Sequence, residues 1–278
     1  MKKILALLMA AALLLTLSSC VTKENDPNSD HDHDHDHIEG TTAETENHNH
    51  HSHDPSGAKV QYVSALDFGF EEVINAKEDE AYHDLFFDKN TSAYENKKFT
   101  KEGIFAVIFD AYNEEERYYV WGYGHDTRDC CYQWEFVLPE GTEMPAPGSL
   151  IEVKGTMTHS DDALDGYWLT DTTVSVKKAA TKADFDYDLV SMSPTLMRVQ
   201  IINMLNKSDF FKDVSIRVPG KTVNENTISP AFTNDEWTLH FTSASSHINA
   251  GSLVIIEGTF NTAENANMIK AQTITAEE

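Results

Sequence analysis

One ten-residue segment occurs twice in this chain, and it constrains the fold more than any other feature. Gly148-Ser-Leu-Ile-Glu-Val-Lys-Gly-Thr-Met157 is matched by Gly251-Ser-Leu-Val-Ile-Ile-Glu-Gly-Thr-Phe260. Each copy starts with a glycine, which is typical of a turn, and continues with apolar and β-branched residues, which favour a strand. Because internal similarity indicates a repeated structural unit, the sequence predicts two copies of one β unit.

The residues around each copy also have strand patterns. In the first unit we predict strands at 103–110, 118–121, 134–138, 149–157, 166–170 and 172–176. In the second unit we predict strands at 198–202, 214–218, 237–241, 251–260 and 268–276. Five or six short strands in a unit of this size predict a small β-barrel of the OB type.

The fold class predicted for the whole chain is therefore mainly β, with two tandem OB-like β-barrel domains. We place the first domain at residues 58–178 and the second at residues 179–278. Within the first domain, residues 65–87 have apolar residues at helical spacing with charges between them, so we expect a helical lead-in there.

Residues 1–20 have the pattern of a bacterial export signal. Lys2 and Lys3 precede an apolar run from Ile4 to Leu17, which is too short for a typical membrane span. Leu17-Ser-Ser-Cys20 resembles a bacterial lipobox. The resemblance implies cleavage before Cys20 and acylation of that cysteine, for example with palmitate. The mature protein would then be a lipoprotein, anchored to the membrane in the bacterial cell envelope and facing outside the cytoplasm. The alternative is a plain signal peptide with a chance cysteine.

Residues 21–57 contain few apolar side chains, so we predict a disordered tail between the anchor and the first barrel. Histidine alternates with aspartate and asparagine here, and eight of the 13 histidines of the chain lie in this segment: His31, His33, His35, His37, His48, His50, His51 and His53. Imidazole is a good ligand for Zn²⁺, Cu²⁺ and Ni²⁺. The tail is therefore predicted to bind metal, and the alternatives are a pH-responsive tail and a low-complexity spacer.

A pair of adjacent cysteines, Cys130 and Cys131, follows His125 in the first unit. Neighbouring Cα atoms lie about 3.8 Å apart, which is shorter than an ordinary disulfide requires. Two thiolates beside an imidazole suit zinc or another soft or borderline metal. A strained vicinal disulfide, an intermolecular link and a packing role for one cysteine remain open. We take His125, Cys130 and Cys131 as candidate metal ligands.

A strand leading to Cys-Cys, a second apolar strand and then Pro-x-x-Gly-x-x-Ile-x-Val-x-Gly together make up a longer motif. This motif resembles the OB-type domain of bacterial membrane-anchored proteins with vicinal cysteines, which are often associated with zinc handling. The match covers about residues 98–158, and its specific parts are the cysteine pair and residues 148–155. The chain departs from that pattern through its histidine-rich tail and through His125-Asp126 ahead of the cysteines.

The formal net charge of -25 argues against nucleic acid and anionic lipid surfaces as partners. We find no nucleophile elbow, phosphate loop or His-Glu-x-x-His motif, so we expect no enzyme. A redox role for Cys130 and Cys131 remains open, although they do not form a Cys-x-x-Cys motif. The leading hypothesis is a lipoprotein that binds Zn²⁺, or Cu²⁺ or Ni²⁺, for sequestration or for hand-over to a transporter, with a metal ABC transporter as a candidate partner. The alternative is a cell-surface module that binds a protein or a glycan, with the tail as its stalk.

Overall fold

The structure is a computed structural model that describes residues 59–63, 73–124, 131–181, 184–230, 238–242, 248–262 and 267–277. Contacts separate Met1–Asp54, which lies outside the described residues, from one compact unit, Pro55–Glu278. All elements below belong to that compact unit. No helix within the described ranges is both long enough and apolar enough to span a membrane.

Strands make up most of the regular structure. They are β1 (Lys59–Val63), β2 (Lys98–Asp110), β3 (Glu115–Tyr123), β4 (Cys131–Phe136), β5 (Leu150–His159), β6 (Tyr167–Lys178), β7 (Tyr187–Asp188), β8 (Val214–Asn224), β9 (Thr227–Pro230), β10 (Leu239–Phe241), β11 (Leu253–Phe260) and β12 (Met268–Glu277). The α-helices are α1 (Ala76–Phe86), α2 (Thr91–Tyr94) and α3 (Pro194–Asn206), and 3-10 turns lie at Leu189–Ser191 and Ser208–Phe211.

The strands form two closed five-stranded barrels with the same topology. The first runs β2-β3-β4-β6-β5, and the second runs β8-β9-β10-β12-β11 and closes through pairing of β11 with β12. Numbered along the chain, the strands of both barrels follow the order one-two-three-five-four, and the third and fifth strands pair in parallel. The prediction of two tandem OB-like barrels is confirmed.

The repeated segment forms the fourth strand of each barrel, β5 and β11. Gly148 and Gly251 precede these strands with φ angles of 86° and 89°, a conformation that favours glycine. The pairing with the last strand is irregular at Gly155 and at Gly258. A Cβ at Gly155 would lie 2.8 Å from the carbonyl oxygen of Thr170, so the backbones approach too closely for a side chain. The matching glycines therefore serve matching structural roles.

Helix α1 forms the predicted lead-in to the first barrel. The Asn75 side chain caps its first turn by accepting a hydrogen bond from the Glu78 N–H. Tyr82 and Leu85 are buried in the barrel core, which also contains Phe105, Val120, Tyr132, Trp134, Phe136, Ile151, Val153, Met157 and Leu169. The opposite side of α1 keeps its charged residues exposed, so the helix covers one barrel only.

The strand predicted at residues 198–202 is wrong, because these residues lie in the middle of helix α3. Three β-branched residues in a row of five favoured the strand interpretation. The helix begins at a stronger signal: the Ser193 hydroxyl accepts a hydrogen bond from the Leu196 N–H, and Pro194 occupies the first turn. The second barrel therefore also follows a helix in the chain.

Helix α3 covers an open edge of strand β2. The Phe109 N–H donates to Gln200 Oε1 at 2.9 Å, and Asn203 Nδ2 donates to the Phe109 carbonyl oxygen at 3.1 Å. Both amide side chains are buried. They satisfy backbone groups that would otherwise need a neighbouring strand.

Strand β1 adds to the second barrel, although it precedes the first barrel in the chain. It pairs in parallel with β12, from Lys59 opposite Thr273 to Val63 opposite Glu277. The same part of β12 pairs with β11 on its other edge. The N-terminal strand of the compact unit therefore lies against the last strand of the chain.

Candidate functional site

Most of the predicted site residues lie outside the described part of the chain. These are the lipidation site Cys20 and the predicted metal ligands His31, His33, His35, His37, His48, His50, His51, His53, His125 and Cys130. Cys131 is described, and it is the first residue of β4. Cys131 is therefore the predicted site residue whose surroundings the structure defines.

Strands β3 and β4 hold the backbone of Cys131 in a ladder. Tyr123 pairs with Cys131 at the end of the antiparallel pair, and Gly124 follows β3. Segment 125–130 thus connects two strands whose ends lie side by side. The Cys131 side chain is half-buried, with its Sγ 3.7 Å from Thr195 Oγ1 of helix α3.

Helix α1 brings a carboxylate and an imidazole to the start of this connection. A Cβ at Gly124 would lie 2.3 Å from Asp79 Cγ, so the buried Asp79 side chain lies directly against Gly124. His83 Nε2 is 3.8 Å from Asp79 Oδ1, one helical turn further along. The Asn75 N–H donates to the Tyr123 carbonyl oxygen at 2.7 Å and fixes the start of α1 on the end of β3.

His83 is not among the metal ligands predicted from the sequence, where it reads as a surface histidine on an acidic helix. The signal that could have singled it out is its i,i+4 spacing from Asp79. Carboxylate–histidine pairs often orient an imidazole toward a metal. Within the described ranges, no three His, Cys, Asp or Glu side chains are arranged to hold a metal ion.

The outer face of β3 and β4 is the face on which OB domains commonly bind their ligands. Here the residues that pair across this face are Tyr119 with Glu135, Trp121 with Gln133, and Tyr123 with Cys131. Five of these six side chains are buried and Cys131 is half-buried, although the face lies outside the barrel. Another part of the chain must therefore cover them.

The segment that leads into α3 covers this face. Trp121 Nε1 donates to the Ser191 carbonyl oxygen at 2.9 Å, and the Ser193 hydroxyl donates to Gln133 Oε1 at 3.0 Å. Trp121 has no exposed surface. The common ligand face of the first barrel is thus occupied by the chain itself.

A buried arginine organises the far end of the same face. Arg117 donates to Asp110 through Nε at 2.9 Å and to Glu135 through Nη1 at 2.8 Å. Its Nη1 also donates to the Asp162 carbonyl oxygen at 2.6 Å, and Nη2 pairs with Glu115 at 2.8 Å. One cation therefore joins β2, β3 and β4 to the turn between β5 and β6.

The carboxylates of this cluster differ in pKa. Burial disfavours charge on Asp110, but hydrogen bonds from Asn113 and from the Tyr112 N–H, with the charge of Arg117, outweigh it and lower the Asp110 pKa. The balance is opposite at Glu135, where burial raises the pKa more than Arg117 lowers it.

Asp165 lies in the β5–β6 turn and is partly buried. Burial and the nearby charge of Glu135 raise the pKa of Asp165 to about 7, against the opposing effects of a hydrogen bond with Gln133 and the charge of Arg117. The Asp165 carboxyl therefore titrates near neutral pH, because burial and the neighbouring Glu135 disfavour its charged form.

No protein-family model matches this chain, and no curated protein is significantly similar to it.

Proposed function

We propose that this protein is a lipid-anchored protein of the bacterial cell envelope that binds zinc, or copper or nickel, outside the cytoplasm. It acts by binding rather than by catalysis. It sequesters the metal or passes it to a transporter, for which a metal ABC transporter is a candidate.

The observation that carries the proposal is the composition of residues 30–53. Eight histidines alternate there mainly with aspartate and asparagine. Neutral imidazole binds divalent transition metals, and neighbouring carboxylates raise the local concentration of cations. A chain with many equivalent ligands takes up metal without one fixed geometry and exchanges it readily among sites.

The surroundings of Cys131 support a second, tighter site in the first barrel. The cysteine pair falls between two strand ends, and Asp79 and His83 lie at the start of the same connection. Rigid strands hold the two ends of the segment that contains His125 and Cys130. Such support reduces the entropic cost of gathering ligands around an ion.

The alternative, a protein- or glycan-binding module, receives less support from the first barrel. The face that OB domains commonly use for oligosaccharides is buried under Ser191 and Ser193. A ligand on that face would first have to displace helix α3.

Calorimetry on the secreted chain, produced from residue 21 without its lipid, tests the proposal. Zn²⁺ is titrated into this chain, into a deletion of residues 21–57 and into Cys130→Ser/Cys131→Ser. We expect several weak sites that are lost with the tail, and one tighter site that is lost with the thiols. His240→Gln serves as a matched control, because His240 lies on β10 outside both predicted sites.

The pH dependence identifies the ligands. Imidazole must be neutral to bind metal, so affinity for the tail sites should fall steeply below about pH 6. Binding that stays constant between pH 7.5 and 5 would show that histidine is not the ligand. Absence of uptake of Zn²⁺, Cu²⁺ and Ni²⁺ by the intact secreted chain would overturn the proposed function.

A further inference from the structure

A cavity of about 190 Å³ lies between strands β2 and β3 of the first barrel and residues 185–192, which lead into α3. Its walls include the rings of Phe109, Phe185 and Tyr187. Glu116 and Asp186 also line it, and both are exposed to solvent. The cavity therefore combines aromatic walls with a carboxylate rim.

The aromatic walls are held in place from behind. Phe211 has no exposed surface, and its ring centroid lies 5.9 Å from that of Phe109 and 5.3 Å from that of Tyr187, in edge-to-face contacts. Tyr187 is also fixed through its backbone, because β7 pairs in parallel with β8. The cavity is thus built on rigid elements.

The carboxylates are positioned as well. Asp186 Oδ2 accepts hydrogen bonds from the N–H and the hydroxyl of Ser215, both at 2.8 Å. Glu116 Oε2 accepts one from the Tyr118 hydroxyl at 2.8 Å. Each carboxylate keeps an oxygen beyond these hydrogen bonds.

The charged residues that line the cavity are all acidic, since none of the lining residues is a lysine, arginine or histidine. Burial, with the nearby charges of Asp186 and Glu116, raises the pKa of Tyr187 to about 12. A third lining carboxylate, Asp188, is neutralised by Arg217, whose Nε and Nη2 donate to it at 2.8 and 2.6 Å. Arg217 also lies 5.8 Å from the Phe185 ring.

We propose that this cavity binds a small organic cation of the alkylated ammonium class. Aromatic ring faces attract such cations through their quadrupole, and the cation gives up little hydration on entering an apolar space. The carboxylates of Glu116 and Asp186 complement its charge without requiring hydrogen-bond donors on the ligand. Met144, also in the lining and exposed, supplies a flexible apolar side chain at the opening. This site is independent of the proposed metal binding.

Choline and its uncharged isostere 3,3-dimethylbutan-1-ol distinguish this site from a merely apolar groove. Both are titrated into the secreted chain in the presence of a chelator, with binding followed by NMR shifts of the Met144 methyl group and by calorimetry. We expect saturable binding of choline, and binding of the isostere weaker by roughly fivefold or more. Absence of saturable choline binding, or equal affinity for the two compounds, would overturn the proposal.

Two variants and one control locate the ligand. Phe185→Leu removes an aromatic wall and should weaken choline binding by roughly fivefold. Glu116→Gln keeps an acceptor for Tyr118 and removes the charge, and it should weaken choline but not the isostere. Phe87→Leu is the control, because Phe87 is an exposed ring that does not line the cavity. Equal loss in Phe87→Leu and Phe185→Leu, or unchanged affinity in both cavity variants, would contradict the assignment.

Discussion

The two barrels have the same topology, but the helices that precede them in the chain differ in how much of their surface is buried. Helix α1 buries Asp79, Tyr82 and Leu85 along one side and exposes Lys77 and Glu80 on the other. Helix α3 contains a single charged residue, Arg198, and has seven buried residues distributed around its axis. Only Asn206 of α3 is exposed, so this helix is covered on more than one side.

Helix α3 and the residues just before it form the interface with the first barrel. Gln200 and Asn203 on α3 bond to the edge of the first barrel at Phe109. Ser191 and Ser193, just ahead of α3, cover the face where an OB domain would commonly bind a ligand. This face of the first barrel is therefore covered, and the two barrels are parts of one compact unit.

The largest expected effect comes from the residue at the centre of the covered face. Trp121→Ala should lower the free energy of unfolding by about 3–5 kcal/mol, because it leaves a cavity between the barrel and Ser191. Trp121→Phe keeps most of the ring and should lose about 1–2 kcal/mol, mainly the hydrogen bond. Urea denaturation measures both, and a loss below about 1 kcal/mol for Trp121→Ala would mean that the face is open in solution.

A smaller effect is expected at the sealed edge of β2. Gln200→Ala leaves the partly buried Phe109 N–H without its acceptor and should cost about 1–3 kcal/mol. The matched change on the other helix is Glu80→Ala on the exposed side of α1, which should stay within about 0.5 kcal/mol of wild type. Equal effects of the two changes would remove the distinction between the helices.

The acid cluster makes the first barrel sensitive to pH. The pKa of Asp165 is raised to about 7 in the folded protein, above its ordinary value of 3.8. The folded state therefore binds more protons, and the contribution of Asp165 to stability falls as pH rises through 7. We expect a loss of about 1–2 kcal/mol between pH 5 and 7 that is absent in Asp165→Asn.

The control for this prediction is Asp161→Asn, an exposed aspartate in the same turn. The free energy of unfolding of this variant should change with pH as it does in the wild-type protein. Comparing variants with wild type also cancels the titration of the histidines. If Asp165→Asn keeps the wild-type slope, another group is responsible.

The last prediction concerns the glycines that precede the repeated strand in each barrel. Gly148→Ala and Gly251→Ala each place a Cβ at a φ near +90° without a steric clash, since the nearest other atoms lie 3.5 and 3.8 Å away. Each should cost about 1–2 kcal/mol from backbone strain, and the two costs should agree. A much larger cost at Gly148 would indicate that its contacts with Ala180 and Ser191 matter more than the turn.

The parts of the fold predicted from the sequence are those determined by local patterns. Turn glycines such as Gly148 and Gly251, together with the apolar residues that follow them, were sufficient to predict two β units. Residues 198–202 were misassigned because β-branched side chains favour strands locally, while the helix depends on burial against two sides. Tertiary packing decided that segment.

Less of the candidate site could be predicted from the sequence. Cys131 was found because adjacent cysteines are unusual, but the approach of Asp79 to Gly124 joins residues 45 positions apart in the chain. The aromatic cavity joins Phe109, Glu116 and Tyr187, of which Phe109 and Tyr187 lie 78 positions apart in the chain. Neither juxtaposition leaves a periodic signal, because each results from tertiary packing of residues that are distant in the chain.

The pairing of β1 with β12 has a consequence for biogenesis. Lys59 precedes its pairing partner Thr273 by 214 positions in the chain. During synthesis β1 is therefore made long before β12 and lacks this hydrogen-bonding neighbour until β12 has emerged. A product truncated before residue 273 cannot form this pair, so β1 keeps an unpaired edge.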